Sequence, residues 1–233
     1  MCKTLITENM LEWENGITPR STIFDDVYFS TDGGIEESEA VFLSGIDAPQ
    51  VWQGKHQFTI CELGFGTGLN FLNTADLWIK NSKPEQVLNY FATELYPLNR
   101  DDLDRALKWP EIEKIKQEFL SSYPSENLSL CDGRIKLNLL LGYSEDILMQ
   151  MTEKVDAWYL DGFAPSKNPD MWTDEIFAQM ARLSQRGTKI ATFTAAGFVR
   201  RAMSNAGFQI YKRDGYGKKR EMLGATYLGV CRG

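Results

Sequence analysis

Three places along the chain bring together residue types that do chemistry. Glu62-Leu63-Gly64-Phe65-Gly66-Thr67-Gly68 closes an apolar run from Phe58 to Leu63. Glycines at alternate positions let a backbone turn sharply and approach a ligand closely. Glu94 ends a second apolar run, Val87 to Thr93, where a carboxylate can accept both hydroxyl protons of a ribose. Asp161 opens Asp161-Gly162-Phe163-Ala164-Pro165 after a third run, Val155 to Leu160. A carboxylate there can hold an amine beside a reacting group, and such orientation is often the largest contribution to a simple displacement. Each feature also has a plain structural reading, the glycines as a tight turn and Asp161 as a loop cap.

A glycine loop with an acid at the next strand end points to an adenosine-bearing cofactor. Two candidates lead, nicotinamide dinucleotide and S-adenosylmethionine. The dinucleotide fingerprint needs glycine at position 69, which is leucine. Glu62 would also set a negative charge beside an anionic pyrophosphate. S-adenosylmethionine has no phosphate, and a carboxylate can receive its ammonium group, so both observations favour it.

These residues must sit on a regular scaffold, and the hydrophobic pattern supplies one. After the glycine loop, Leu69, Phe71, Leu72, Ala75, Leu77 and Trp78 recur at helical spacing. Strands are expected at Phe58 to Leu63, Val87 to Thr93, Ile135 to Leu141, Val155 to Leu160 and Lys189 to Thr194. Helices are expected at Asn99 to Lys108, Glu111 to Phe119, Glu145 to Met151, Asp174 to Leu183 and Phe198 to Asn205. Alternating strands and helices imply a parallel, doubly wound α/β sheet. Phe208 to Arg213 and Met222 to Val230 lack a helix between them and should pair as an antiparallel hairpin. Residues 51–233 are therefore expected as the main domain, and the acidic residues 1–50 as a small β-rich extension or lid.

Together these elements resemble the seven-stranded, Rossmann-like fold of class I S-adenosylmethionine-dependent methyltransferases. Five stretches carry a narrower resemblance: Phe24-Asp25-Asp26-Val27-Tyr28-Phe29-Ser30, Gly64 to Phe71, Asp161 to Trp172, Thr192 to Arg201 and Gly217 to Met222. They resemble the methyltransferases that form 5-methylaminomethyl-2-thiouridine in tRNA, known as MnmD or as the amino-terminal domain of MnmC. The resemblance implies methyl transfer from S-adenosyl-L-methionine to the amine of 5-aminomethyl-(2-thio)uridine at the wobble position. It assigns the cofactor to Glu62, Gly64, Gly66, Gly68, Asn70, Glu94 and Asp161, with Asp161 also catalytic. Tyr28, Phe163, Lys167, Arg200, Arg201, Lys218, Lys219 and Arg220 are assigned to the tRNA anticodon loop, with Trp172 a further stacking candidate, and ordinary core packing is the alternative for Tyr28, Phe163 and Trp172. The family's acid after the third sheet strand is replaced by Tyr143, so Glu145 or Asp146 is the substitute for an adenine contact. With no flavin-dependent oxidase after Gly233, the aminomethyl substrate is expected from a separate enzyme. A small-molecule amine methyltransferase is the alternative on this fold, and a silent tRNA-binding module is a third reading.

Charge and composition limit the other classes. The net charge of −7 argues against a polyanionic partner, but residues 1–40 hold nine acids against two bases. Residues 200–220 instead hold seven bases against Asp214, a patch that suits phosphates or, more plainly, a solvated hairpin edge. His56 is the single histidine, and Cys2, Cys61, Cys131 and Cys231 are scattered. Neither a histidine-based triad nor a metal site is expected. The absence of a long apolar stretch or signal peptide leads to the expectation of a cytoplasmic chain without a membrane anchor.

Overall fold

The computed structural model describes residues 10–30, 33–217 and 219–229. Cys2, Lys218, Val230 and Cys231 lie outside the described residues. The chain runs β1 (Leu11–Glu14), β2 (Thr18–Ser21), β3 (Asp26–Val27), α1 (Gly34–Ser38), β4 (Gln57–Leu63), α2 (Leu69–Asn81), β5 (Val87–Glu94), α3 (Arg100–Ala106) and α4 (Glu113–Ser122). It continues through β6 (Asn127–Leu130), β7 (Ile135–Leu141), α5 (Ser144–Gln150), β8 (Val155–Leu160), α6 (Asp174–Leu183), β9 (Ser184–Thr192), α7 (Gly197–Asn205), β10 (Phe208–Asp214) and β11 (Glu221–Tyr227).

The large sheet has the order β10-β11-β9-β8-β4-β5-β7-β6. Its middle strands are parallel and its two ends antiparallel. Strand β4 is buried from Phe58 to Leu63 because helices cover both faces, which is why it reads as an unbroken apolar run. Two aromatic-rich cores result, one holding Trp52, Phe71 and Trp78, the other Trp158, Trp172 and Phe177.

Two expectations need correction. The sheet has eight strands rather than seven, because β6 forms an edge hairpin with β7 through Cys131, Asp132 and Gly133, all at positive φ. At four residues with alternate ones buried, β6 shows too little pattern to be distinguished from loop. The amino-terminal extension is β-structured only over β1 to β3. Residues 34–52 are helical turns, and Val41, Phe42, Leu43, Ile46 and Trp52 enter the main core. Arg213 on β10 secures this segment, donating to the carbonyls of Ala40 (2.6 Å) and Val41 (2.8 Å).

Candidate active site

Strand register brings the chemical residues to one edge. Leu63 on β4 pairs with Thr93 on β5 and with Leu160 on β8, so the residues that follow these strands emerge side by side. The amides of Gly64 and Phe65 donate to the Thr93 carbonyl at 3.1 and 3.0 Å, and that of Asp161 donates to the Leu63 carbonyl at 3.1 Å. Gly64 has φ +90°, and a Cβ there would lie 2.4 Å from the Asp161 carbonyl oxygen. Only glycine fits where the two loops cross.

Above this edge lies a cavity of about 1100 Å³, whose wall includes Gly64, Gly66, Asn70, Glu94, Asp161 and Phe163. The Glu94 carboxylate is fixed by two backbone donors, Gly66 N–H and Tyr96 N–H, each at 2.8 Å. Burial pushes its pKa up against these bonds. Asp161 is pushed further, to about 7, because burial outweighs the hydrogen bond from Asn70. Glu37 also raises it, while Lys219 lowers it. It is thus a stronger base than an ordinary aspartate carboxylate, whose pKa is about 3.9.

The remaining expected residues divide. Glu62 is fully buried and is not on the cavity wall; its carboxylate accepts from Asn70 (2.8 Å) and from the Tyr90 hydroxyl (2.9 Å). The sequence expectation of a cofactor contact there is not met by this placement. Gly68 is also off the wall, at φ +77°, making room for the Phe65 ring. Tyr28 borders Gly66 and meets the Phe163 ring edge-on at 5.2 Å. Lys167 binds the Asp25 carbonyl and pairs with Asp25 and Asp26, clasping the loop after β8 to the amino-terminal sheet.

The basic residues do not form the single surface expected from sequence. Arg200 and Arg201 line a separate groove with Ser204, Ile210 and Lys212. Lys219 instead belongs to the cavity wall, 3.3 Å from Glu37 and over the Phe193 ring at 4.5 Å. Arg220 is exposed on the hairpin and off that wall. Trp172 is core, with its indole N–H donated to the Phe163 carbonyl at 3.3 Å.

Tyr143, Glu145 and Asp146 all reach the cavity, and Tyr143 is 58% exposed. Sequence reasoning missed Phe24, whose ring stacks on Phe163 at 4.7 Å, and Glu37. Phe24 stands in the same stretch as Tyr28 and was open to detection there. Among the described residues no group of three or more His, Cys, Asp or Glu is arranged to hold a metal. No helix among them is long and apolar enough to cross a membrane.

Comparison with known proteins adds family information. A family model described as S-adenosyl-L-methionine-dependent methyltransferase matches residues 110–227. The tRNA 5-methylaminomethyl-2-thiouridine biosynthesis bifunctional protein MnmC of Magnetococcus marinus is 45% identical over 219 residues, covering 91% of this chain and 33% of that protein. Its namesake from Leptospira borgpetersenii is 45% identical over 227 residues, with 94% and 35% covered. The chain thus spans about a third of the length of these relatives. Among solved structures, MNMC2 from Aquifex aeolicus superposes with a TM-score of 0.79 at 22% identity, covering 91% of this chain and 68% of that one. Spermidine synthase from Thermotoga maritima shares the fold at a TM-score of 0.53 and 8% identity, with 94% and 72% covered.

Proposed function

Since the chain belongs to the S-adenosyl-L-methionine-dependent methyltransferases, we propose that it methylates the primary amine of 5-aminomethyl-2-thiouridine in tRNA. The tRNA substrate is inferred from the names of the curated relatives, which are about three times as long. The observation that carries the reading is the juxtaposition, in one cavity, of the Glu94 carboxylate at the glycine loop and the Asp161 carboxylate.

The residues present fit the cofactor. At Gly66, with φ +55°, a Cβ would come within 3.1 Å of the Tyr28 ring, so a side chain would crowd the loop where a ligand must approach. The Glu94 carboxylate accepts from the Gly66 and Tyr96 amides, and a carboxylate's roughly four lone-pair sites leave room for a ribose hydroxyl. Gly64, Gly66 and Glu94 would hold the cofactor, with Tyr143, Glu145 and Asp146 at the adenine end. When bound, S-adenosyl-L-methionine supplies an electrophilic methyl group on sulfur.

The acceptor must present a lone pair. With lysine as a guide, its amine is mostly protonated near neutrality, and neutralising it costs about 4 kcal/mol at 1.36 kcal/mol per pH unit. Burial raises Asp161 only to about 7, still well below such an amine, so the proton leaves toward water while an Asp161 oxygen orients the nitrogen. Phe163, Tyr28 and Phe24 supply aromatic surface for an unstacked base, the usual means of recognising single-stranded RNA. Arg200 and Arg201 would meet phosphates outside the cavity.

Incubation with labelled cofactor and tRNA from cells lacking the enzyme, followed by nucleoside mass analysis, tests the reading. The expected product is methylated 5-aminomethyl-2-thiouridine. Label appearing in small amines and never in tRNA would overturn the tRNA substrate in favour of a small-molecule methyltransferase.

A further inference from the structure

We propose that Asn70 and Asp161 form a two-oxygen seat for the acceptor amine, and that this seat restricts transfer to a single methyl group. The inference rests on the methyl-transfer reading above and concerns the number of methyl groups added.

The Asn70 amide nitrogen lies between two carboxylates, donating to Glu62 Oε1 at 2.8 Å and to Asp161 Oδ2 at 2.6 Å. An amide nitrogen has two protons, and both are engaged. The opposite orientation would set an oxygen against two carboxylate oxygens, so the surroundings determine which atom is which. Glu62 in turn is held by the Tyr90 hydroxyl at 2.9 Å and is wholly buried, which leaves the amide little freedom to rotate. Asn70 can therefore meet a ligand only as an acceptor, through Oδ1.

Among the described residues no hydrogen bond reaches Asn70 Oδ1 or Asp161 Oδ1. Both residues line the cavity. Their side chains are joined by the 2.6 Å bond, so the two free acceptors belong to neighbouring groups. A neutral primary amine matches them, giving one N–H to each oxygen and keeping its lone pair for the methyl carbon. As the N–C bond forms from that lone pair, the S–C bond breaks and its electrons stay on sulfur. The product nitrogen, now a secondary ammonium, still has two N–H groups and loses one proton to Asp161 or water. On a second round the neutral secondary amine has only one N–H. Seating it with its lone pair toward the methyl carbon leaves one acceptor unpaired, the costly condition for a buried polar group.

The test compares two substrates under single-turnover conditions at saturating cofactor, tRNA carrying 5-aminomethyl-2-thiouridine and tRNA carrying 5-methylaminomethyl-2-thiouridine. Wild type should transfer to the first faster by roughly tenfold to a hundredfold, the equivalent of one unsatisfied acceptor. Asn70→Ala should narrow that ratio by about tenfold and accumulate the dimethylated nucleoside. If Asn70→Ala does not fold, Asn70→Ser, whose shorter side chain cannot bridge both carboxylates, should narrow it in the same direction. Equal rates on the two tRNAs in wild type would overturn the seat while leaving the methyl-transfer reading intact. So would a folded, cofactor-binding Asn70 variant in which both rates fall by the same factor, as a merely structural role requires. Transfer to neither tRNA would overturn the underlying reading, and the seat with it.

Discussion

Asp161 is an acid whose surroundings favour its proton, and this has a consequence for stability. The unfolded chain ionises it near about 3.9, the folded chain only near about 7. Its protonated form is thus favoured by folding. The stability it contributes is full below the unfolded value and is lost as pH rises toward the folded one. Asp161→Asn removes that dependence and is expected to raise the melting temperature relative to wild type more at about pH 8 than at about pH 4. Scanning calorimetry at the two pH values checks this, and an equal difference at both would contradict it. Asp161→Ala should lower single-turnover methylation by about a hundredfold, the effect of losing orientation at the reacting atom. At the end of β5, Glu94→Ala should weaken cofactor binding by roughly tenfold to a hundredfold, since bonds to a charged acceptor contribute about 1.5 to 3 kcal/mol. Titration calorimetry showing unchanged affinity would remove Glu94 from the cofactor site.

At the scale of elements, the loop between β4 and α2 brings backbone to backbone. Gly64→Ala should destabilise by at least about 2 kcal/mol, because it combines a positive φ with a carbonyl that cannot move away. The contact is the 2.4 Å approach to the Asp161 oxygen. Gly66→Ala meets only the side of the Tyr28 ring, at 3.1 Å, and should cost about 1 kcal/mol. Urea unfolding of both variants checks the order, and a larger loss at Gly66 would contradict it. The Lys167 clasp is a different kind of contact. Its partners Asp25 and Asp26 are 79% and 26% exposed, and exposed pairs contribute at most about 1 kcal/mol. Lys167 therefore holds the loop more by geometry than by energy.

Over the whole molecule, charge is separated. The chain carries −7, yet the groove formed by α7 and β10 has three cationic side chains and no acid on its wall. Lys212 there is paired with Glu221 at 2.8 Å, while Arg200 and Arg201 lie exposed. A nucleic acid bound through these arginines would release about 0.7 to 0.9 counterions per phosphate contact. Replacing both with alanine should weaken tRNA binding and flatten the slope of log affinity against log salt by about 1.5, with cofactor affinity preserved. A salt titration giving wild-type slope and affinity would move the tRNA surface elsewhere. Lys219, in the cavity wall and paired with Glu37, should act on turnover more than on that slope.

What the sequence determined by itself was whatever is periodic or local. The apolar run Phe58 to Leu63, the glycines at 64, 66 and 68, and the helical spacing from Leu69 to Trp78 report which faces are buried and where the chain turns. Those facts were enough for the order of the parallel strands and the helices between them, β6 and the helical turns of residues 34–52 excepted, and for the positions of Glu94 and Asp161 at strand ends. Tertiary structure decided which groups meet. Asn70 touches Asp161 across 91 positions of sequence, because the pairing of Leu63 with Leu160 sets the two strand ends level. It also decided that Glu62 is sealed behind Asn70, that Lys167 clasps Asp25 and Asp26, and that Lys219 and Arg200 occupy different surfaces. Hydrophobic pattern encodes a residue's face, whereas its partner depends on register between strands distant in sequence, which no local pattern specifies.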